Sequence, residues 1–306
     1  MEQMYLKAYG KINLALDVLR KREDGYHDVR MIMQTVGIFD GIEITRTDTG
    51  RIEIETNLFY LPTDENNIVY KAAKMLFDEF NIKDGVKIVL KKFIPVSAGM
   101  AGGSTDAATV MFGINKMFNL KLTLQQLMDR GVKIGADVPY CLMRGTALSE
   151  GIGEKLTKLP DMIKCPVLIA KPPISVSTKF VYENLRLDEI NEHPDIDGMI
   201  EALKHKDLDG VAARLGNVLE TVTAKEYPVI EELKQVMMEE NAINAIMSGS
   251  GPTVFGLFRI EEDAYRAKER IKALGYTKQA YVTYMYIPNT PRKKNGGSYE
   301  RVKHGN

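Results

Sequence analysis

The chain has 306 residues, room for two domains of ordinary size. Its 44% hydrophobic and 27% charged residues are the proportions of a soluble globular protein. Forty-one Lys and Arg balance forty-one Asp and Glu, so no global field draws in nucleic acid or a membrane, and an anionic ligand needs a local site. The two cysteines, Cys141 and Cys165, and four histidines give neither a disulfide framework nor metal-ligand spacing. An acidic residue at position 2 and a lysine in each apolar run exclude a signal peptide near the start, and no segment approaches a membrane span. A reducing, cytoplasmic location is expected.

In chain order, the first 60 residues read as strands. Ile12, Leu14, Leu16 and Val18 alternate, which places Lys11, Asn13, Ala15 and Asp17 on the opposite face. Asp24-Gly25 and Asp40-Gly41 signal turns. Ile42 and Ile44, then Ile52 and Ile54, suggest two half-buried strands. Residues 67–80 have helical spacing, 86–92 form a strand, and Ala107, Val110, Met111, Ile114 and Phe118 mark a helix to about 118. Thr123 is a candidate N-cap, and a strand pair is expected around 138–149. Gly151, Gly153, Pro160 and Pro166 punctuate a domain boundary, dividing 1–158 from 159–288. Beyond it, 165–172 is a strand, and 178–185, 196–205, 208–220 and 228–240 are helices. A strand pair joined by Ser248–Pro252, a helix at 261–274 and a last strand at 280–288 follow. This order predicts an α+β second half, an antiparallel sheet covered by helices. Residues 289–306 lack apolar periodicity and read as a flexible tail.

The segment most charged with chemical meaning runs from Ile94 to Ala108. It joins a strand end to a helix start through Gly99, Gly102 and Gly103. Glycines let backbone approach a ligand closely, and a helix N-terminus offers unpaired N–H groups and partial positive charge. Such a turn can cradle phosphate, with Ser104 or Thr105 as helix cap. It is neither GxxxxGK[ST] nor GxGxxG, and by itself it is equally a plain structural turn.

Three separated motifs, this segment among them, occur together. They are Lys11-Ile12-Asn13-Leu14, then Pro95-x-x-x-Gly99-x-x-Gly102-Gly103-Ser104-Thr105-Asp106-Ala107-Ala108, then Met247-Ser248-Gly249-Ser250-Gly251-Pro252-Thr253-Val254-Phe255. Together they resemble the galactokinase, homoserine kinase, mevalonate kinase and phosphomevalonate kinase (GHMP) superfamily of small-molecule kinases, over nearly the whole chain. Gly25-Tyr26-His27-Asp28 and Gly135-Ala136-Asp137-Val138-Pro139-Tyr140 narrow the resemblance to the branch acting on the cytidine diphosphate ester of methylerythritol.

The resemblance implies an α+β fold of two domains. The first is like domain 2 of ribosomal protein S5 and the second is ferredoxin-like, with the active site in the cleft between them. It implies a small-molecule substrate, ATP and Mg2+, the last inferred from ATP chemistry alone. It implies Asp137 as general base and Lys11 as its cationic partner. Asn13 is implied as a hydrogen-bonding group for substrate, and Tyr26, His27 and Tyr182 as the cytosine pocket. Pro95, Gly99, Met100, Ala101, Gly102, Gly103, Ser104 and Thr105 are implied around the phosphates, and Asn66 near adenine. Ser104 is the candidate for reaching the metal, and Asp106 is read as a helix cap. The loop departs from the family pattern at Met100, Ala101, Thr105 and Asp106. Two competing readings remain at this point: a kinase for another alcohol such as mevalonate or homoserine, and a nucleotide-binding relative that transfers nothing.

Overall fold

A computed structural model describes residues 2–288, 292–293 and 299–300. The expected tail, 289–306, therefore lies almost wholly outside the described residues. Within it only Arg292–Lys293 and Tyr299–Glu300 are described, paired antiparallel.

The first half is built on two very long strands. β1 (Gln3–Lys21) and β2 (His27–Thr47) pair antiparallel along almost their whole length around the Asp24-Gly25 turn. β3 (Ile52–Thr56), α1 (Ile68–Glu79) and β4 (Gly85–Lys91) follow. Then come α2 (Gly102–Met117), α3 (Leu124–Gly131), α4 (Val138–Met143), β5 (Thr146–Gly151) and β6 (Lys155–Lys158). One end of β2 pairs with β4 and the other with β5. The helix at 67–80 starts as expected, with Asn67 accepting a hydrogen bond from the Val69 N–H. Thr123 caps α3, and Gln126 answers it to close a capping box.

The second half comprises β7 (Pro166–Lys171), α5 (Thr178–Asn184), α6 (Ile196–Lys204), α7 (Leu208–Ala212) and β8 (Gly216–Asn217). α8 (Glu220–Glu226), α9 (Val229–Glu239), β9 (Asn244–Met247), β10 (Val254–Leu257), α10 (Glu261–Ala273) and β11 (Gln279–Tyr284) complete it. Its sheet has the order β11-β7-β10-β9, all neighbours antiparallel. With α9 and α10 as the crossing helices, this is the split βαβ arrangement of a ferredoxin-like domain. The two sheets share a core in which Ile12, Leu14 and Ile32 pack with Val167, Ile169 and Phe255.

The structure corrects four expectations about the secondary structure. Ile12, Leu14, Leu16 and Val18 do not share one face. Asn13 pairs with Met33 but Ala15 with Ile32, so Leu14 is an extra residue. The bulge turns Ile12 and Leu14 into the core shared between the sheets, and Leu16 and Val18 into the other. Asp40-Gly41 is not a turn: both residues lie inside β2. Residues 138–143 form α4 rather than a strand. The run is largely buried, so its periodicity is silent, and Pro139 suits a helix's first turn. The expected single helix over 208–220 breaks at Gly216-Asn217. There the chain instead forms β8, pairing parallel with Ala15 and Leu16 of β1; tertiary pairing overrides local propensity.

Asp40 is buried for a reason. Its Oδ1 accepts the Phe93 and Ile94 N–H groups at 2.5 and 2.8 Å, and its Oδ2 meets Lys92 Nζ at 2.5 Å. The same ammonium reaches Asp106 Oδ2 at 2.5 Å. Asp106 therefore does not cap α2. It sits inside, with Oδ1 buried and unpartnered, and burial drives its carboxyl well above the usual carboxylate range. Lys92 thus ties β2, the segment entering the glycine turn and the first turns of α2 into one point. Lys92→Met strands Asp40 and Asp106 in the interior, and a loss of about 3–5 kcal/mol is expected, read as the urea midpoint at constant slope. Asp106→Asn, which removes a charge that burial already disfavours, is expected to cost under about 1.5 kcal/mol by the same measurement.

Candidate active site

One cavity of about 960 Å³ lies between the two halves. β1 brings Lys11 and Asn13 to it, the Asp24-Gly25 turn brings Tyr26 and His27, and the approach to α4 brings Asp137. The glycine turn supplies Ser97, Ala98, Gly99, Ala101, Gly102, Gly103 and Ser104. Thr178 and Tyr182 come from α5, and Gly249 and Ser250 from the loop between β9 and β10.

Its polar centre is small and tightly held. Lys11 Nζ donates to Asn13 Oδ1 at 2.7 Å and stands 3.9 Å from Asp137 Oδ2. Lys11 and Asn13 are buried, while the Asp137 side chain keeps 32% exposure. Asp137 occupies the N-cap position of α4, yet its carboxylate accepts no capping hydrogen bond. It is left for the cavity instead. Asn13 Nδ2 approaches Met31 Sδ at 3.2 Å. Tyr140, fully buried in α4, donates to the Gly145 carbonyl at 2.7 Å and meets Thr35 Oγ1 at 3.0 Å. That pins α4, and with it Asp137, against β2.

The glycine turn alternates in handedness. Ser97, Gly99 and Ala101 have φ of 50°, 69° and 54°. A backbone alternating between right- and left-handed conformations aims successive N–H groups into one concavity, which suits an anion. α2 starts directly behind it. No side chain caps this helix, and Ala101 holds the N-cap position. The N–H groups of Gly102, Gly103 and Ser104 thus lack intrahelical acceptors, and they line the cavity at the positive end of a 16-residue helix. Thr105 points away and donates its hydroxyl to the Tyr9 carbonyl at 2.7 Å.

The turn is locked both from β1 and from the other half. The Lys11 N–H donates to the Met100 carbonyl at 3.1 Å. Ser248 Oγ donates to the Gly99 carbonyl at 3.1 Å and accepts the Asn13 N–H at 3.3 Å. Asn217 Nδ2 holds the Met247 and Gly249 carbonyls at 2.8 Å each. At Gly99 there is no space for a side chain: a Cβ would lie 2.1 Å from the Ser248 carbonyl oxygen.

The opposite end of the cavity is aromatic. The His27 and Tyr182 rings have centroids 5.1 Å apart, tilted by 33°. Tyr26 is exposed beside them. Burial, with Lys21 nearby, pulls the His27 pKa below its ordinary value, which keeps the ring neutral at neutral pH. Burial, and then the Asp137 charge, pushes the Tyr182 phenol up to about 12.

Of the residues singled out in the sequence, Lys11, Asn13, Tyr26, His27, Gly99, Ala101, Gly102, Gly103, Ser104, Asp137 and Tyr182 all line this cavity. Pro95 and the Met100 side chain are buried behind the turn. Asn66 lies off the cavity lining, with its N–H and Nδ2 on Asp64 Oδ1 at 3.0 and 3.1 Å. Sequence reasoning missed Met31, Asn217, Lys92 and Asp40, for which no local pattern exists. It also missed Lys21, although Arg-Lys-Arg before the turn was a visible signal. No group of three or more His, Cys, Asp or Glu side chains able to hold a metal occurs among the described residues. Burial raises both thiols, Cys165 to about 12, so neither is a ready nucleophile. Among the described residues, no helix is long and apolar enough to cross a membrane.

Comparisons with known proteins identify the family and the fold. Residues 67–145 match the GHMP kinases N terminal domain and residues 199–277 the GHMP kinases C terminal domain. A 4-diphosphocytidyl-2-C-methyl-D-erythritol kinase from Lachnospira eligens is 56% identical over 288 residues, 94% of this chain and 100% of the relative. The chain belongs to the 4-diphosphocytidyl-2-C-methyl-D-erythritol kinase family. A second relative of that name, from Lachnoclostridium phytofermentans, is 57% identical over 94% of this chain and 98% of its own length. A crystal structure of 4-(cytidine 5'-diphospho)-2C-methyl-D-erythritol kinase superposes with a TM-score of 0.80 at 28% identity, covering 92% of this chain and 99% of that one. A homoserine kinase from Cytophaga hutchinsonii, 19% identical, shares the fold at a TM-score of 0.71, covering 92% of this chain and 95% of its own. The chain is a small-molecule kinase with the two-domain GHMP fold, and the family implies ATP as phosphoryl donor.

Gly99→Ala must push the two loops apart and place a Cβ at positive φ. The variant is expected to bind ATP at least about tenfold more weakly, a loss of 1.4 kcal/mol or more, as measured by titration calorimetry. A wild-type affinity would show that the turn closes without this contact.

Proposed function

We propose that this kinase transfers the γ-phosphoryl group of ATP to the 2-hydroxyl of 4-diphosphocytidyl-2-C-methyl-D-erythritol. The product is the 2-phosphate, on the non-mevalonate route to isopentenyl diphosphate. The observation that carries the reading is a single cavity with three matched parts. It has an anion-shaped backbone turn, an uncapped carboxylate beside a buried ammonium, and an aromatic pocket that includes a histidine. The names of relatives more than half identical support the same substrate.

The chemistry follows from these positions. Phosphoryl transfer needs positioning and charge stabilisation more than covalent help. The backbone N–H groups of Gly99 to Ser104 receive the phosphate oxygens. The Asp137 carboxylate takes the proton of the 2-hydroxyl while the new O–P bond forms and the bond from the γ-phosphorus to the bridging oxygen of ADP breaks. Lys11 stabilises negative charge on the attacking oxygen, and Asn13, fixed by Lys11, hydrogen-bonds the alcohol. Tyr26 and Tyr182 sandwich cytosine, a stacking worth about 1–3 kcal/mol per base, and neutral His27 meets its polar edge. Magnesium, when bound with ATP, neutralises phosphate charge. Ser104, on the cavity wall, is the residue whose hydroxyl would reach it.

Incubation with magnesium-ATP and the cytidine ester, with mevalonate and homoserine in parallel, tests the substrate: ADP release is expected with the ester alone. Release with another alcohol, or none at all, overturns the assignment. Asp137→Ala is expected to lower turnover by about 10²–10⁴-fold while ATP binding persists. Wild-type turnover in that variant would remove Asp137 as the base.

A further inference from the structure

One positive charge in the cavity has no task in this chemistry. β1 ends in Arg20 and Lys21, and Arg22 follows. The two arginines are neutralised. Arg20 Nε lies 2.6 Å from Asp28 Oδ2, and Arg22 holds Asp24 at 2.8 Å and Asp28 at 3.1 Å. These pairs shape the turn itself: Asp24 Oδ1 accepts the Tyr26 N–H at 3.1 Å, and the Arg22 N–H donates to the Tyr26 carbonyl at 2.8 Å.

Lys21 is different. Among the described residues its side chain has neither an ion pair nor a hydrogen bond. It pairs across the ladder with His27 and lines the cavity beside His27 and Tyr26. The other two lysines of the lining are engaged. Lys11 is held by Asn13 and Asp137, and Lys179 stands 3.8 Å from Glu183. An exposed cation without a counter-carboxylate, next to the base-reading residues, meets what a base carries on its ribose. In a cytidine diphosphate ester that is a diphosphate with two negative charges.

We propose that Lys21 is the diphosphate-binding residue of the substrate site. It would be a specificity determinant that admits cytidine diphosphate esters over cytosine compounds without phosphate. The inference rests on the reading of Tyr26, His27 and Tyr182 as the base pocket. The division of labour along the turn follows from side-chain chemistry. The planar guanidinium forks of Arg20 and Arg22 fix geometry against carboxylates, whereas the flexible lysine stem carries a compact charge that follows its ligand.

The test measures binding of cytidine and of the cytidine diphosphate ester of glycerol, a non-reacting probe, with ADP present to fill the other phosphate site. Wild type is expected to bind the diphosphate probe more tightly. Lys21→Met should lose about 10- to 100-fold for that probe, as for loss of a hydrogen bond to a charged group, with cytidine unchanged. Lys21→Arg should retain most of the preference. In turnover, Lys21→Met should raise KM for the reacting ester and leave KM for ATP alone. A Lys21→Met protein of wild-type melting temperature that keeps the wild-type preference would overturn the role of Lys21 and leave the base pocket standing. Failure of wild type to bind either compound, or unchanged cytidine binding in Tyr26→Ala, would overturn the base pocket instead.

Discussion

The architecture depends on a backbone contact that tolerates no side chain. Gly99 and the Ser248 carbonyl meet at a distance that excludes even a methyl group, and Ser248 Oγ bridges Gly99 to Asn13. Through these few atoms the glycine turn of the first half, strand β1 and a loop of the second half become one object. The cavity exists because three pieces of backbone, distant in sequence, are held edge to edge.

Beneath that contact lies an interior of unusual electrostatics. Lys92 is shared by two carboxylates, all three groups nearly without solvent. Burying such charges contributes little net stability and is severe when one partner is lost. What it supplies is a fixed relation between β2, the entrance to the turn and α2. The cavity-facing N–H groups at the start of α2 gain from this because they have no intrahelical acceptor and cannot anchor themselves. The same logic holds at Asp137, where the buried Tyr140 hydroxyl and Thr35 restrain α4 so that the carboxylate need not be held by a cap.

The sequence was most legible where function is local. The glycine turn, Lys11 with Asn13, and Tyr26 with His27 are each contained within a few residues, and each stands on the cavity wall. It was least legible where a residue's role is set by something far away. Asp40-Gly41 has the composition of a turn, and only the Phe93, Ile94 and Lys92 donors, more than fifty positions on, explain a continuous strand there. The bulge at Leu14 has no local signature, although it decides which core receives each side of β1. Residues 138–143, largely buried, lose the alternation that would separate helix from strand. The division of residues at the glycine turn was similarly opaque. Ser104 and Thr105 are neighbours of like chemistry, yet one faces the cavity and the other the Tyr9 carbonyl.

β8 is two residues long, but it belongs to the sheet of the opposite half, pairing with Ala15 and Leu16. Its Asn217 also carries the two carbonyls of the loop that meets Gly99. The halves are therefore laced rather than hinged: swinging them apart as rigid bodies would tear a ladder and a loop support together. The exposed turn around Tyr26 is the part of the rim not bonded to that loop, whereas α5 is joined to it through Thr178 Oγ1 and Ser250 Oγ at 2.8 Å. Hybrids between relatives face the same seam, since exchanging everything after Lys158 also exchanges a strand of the first sheet.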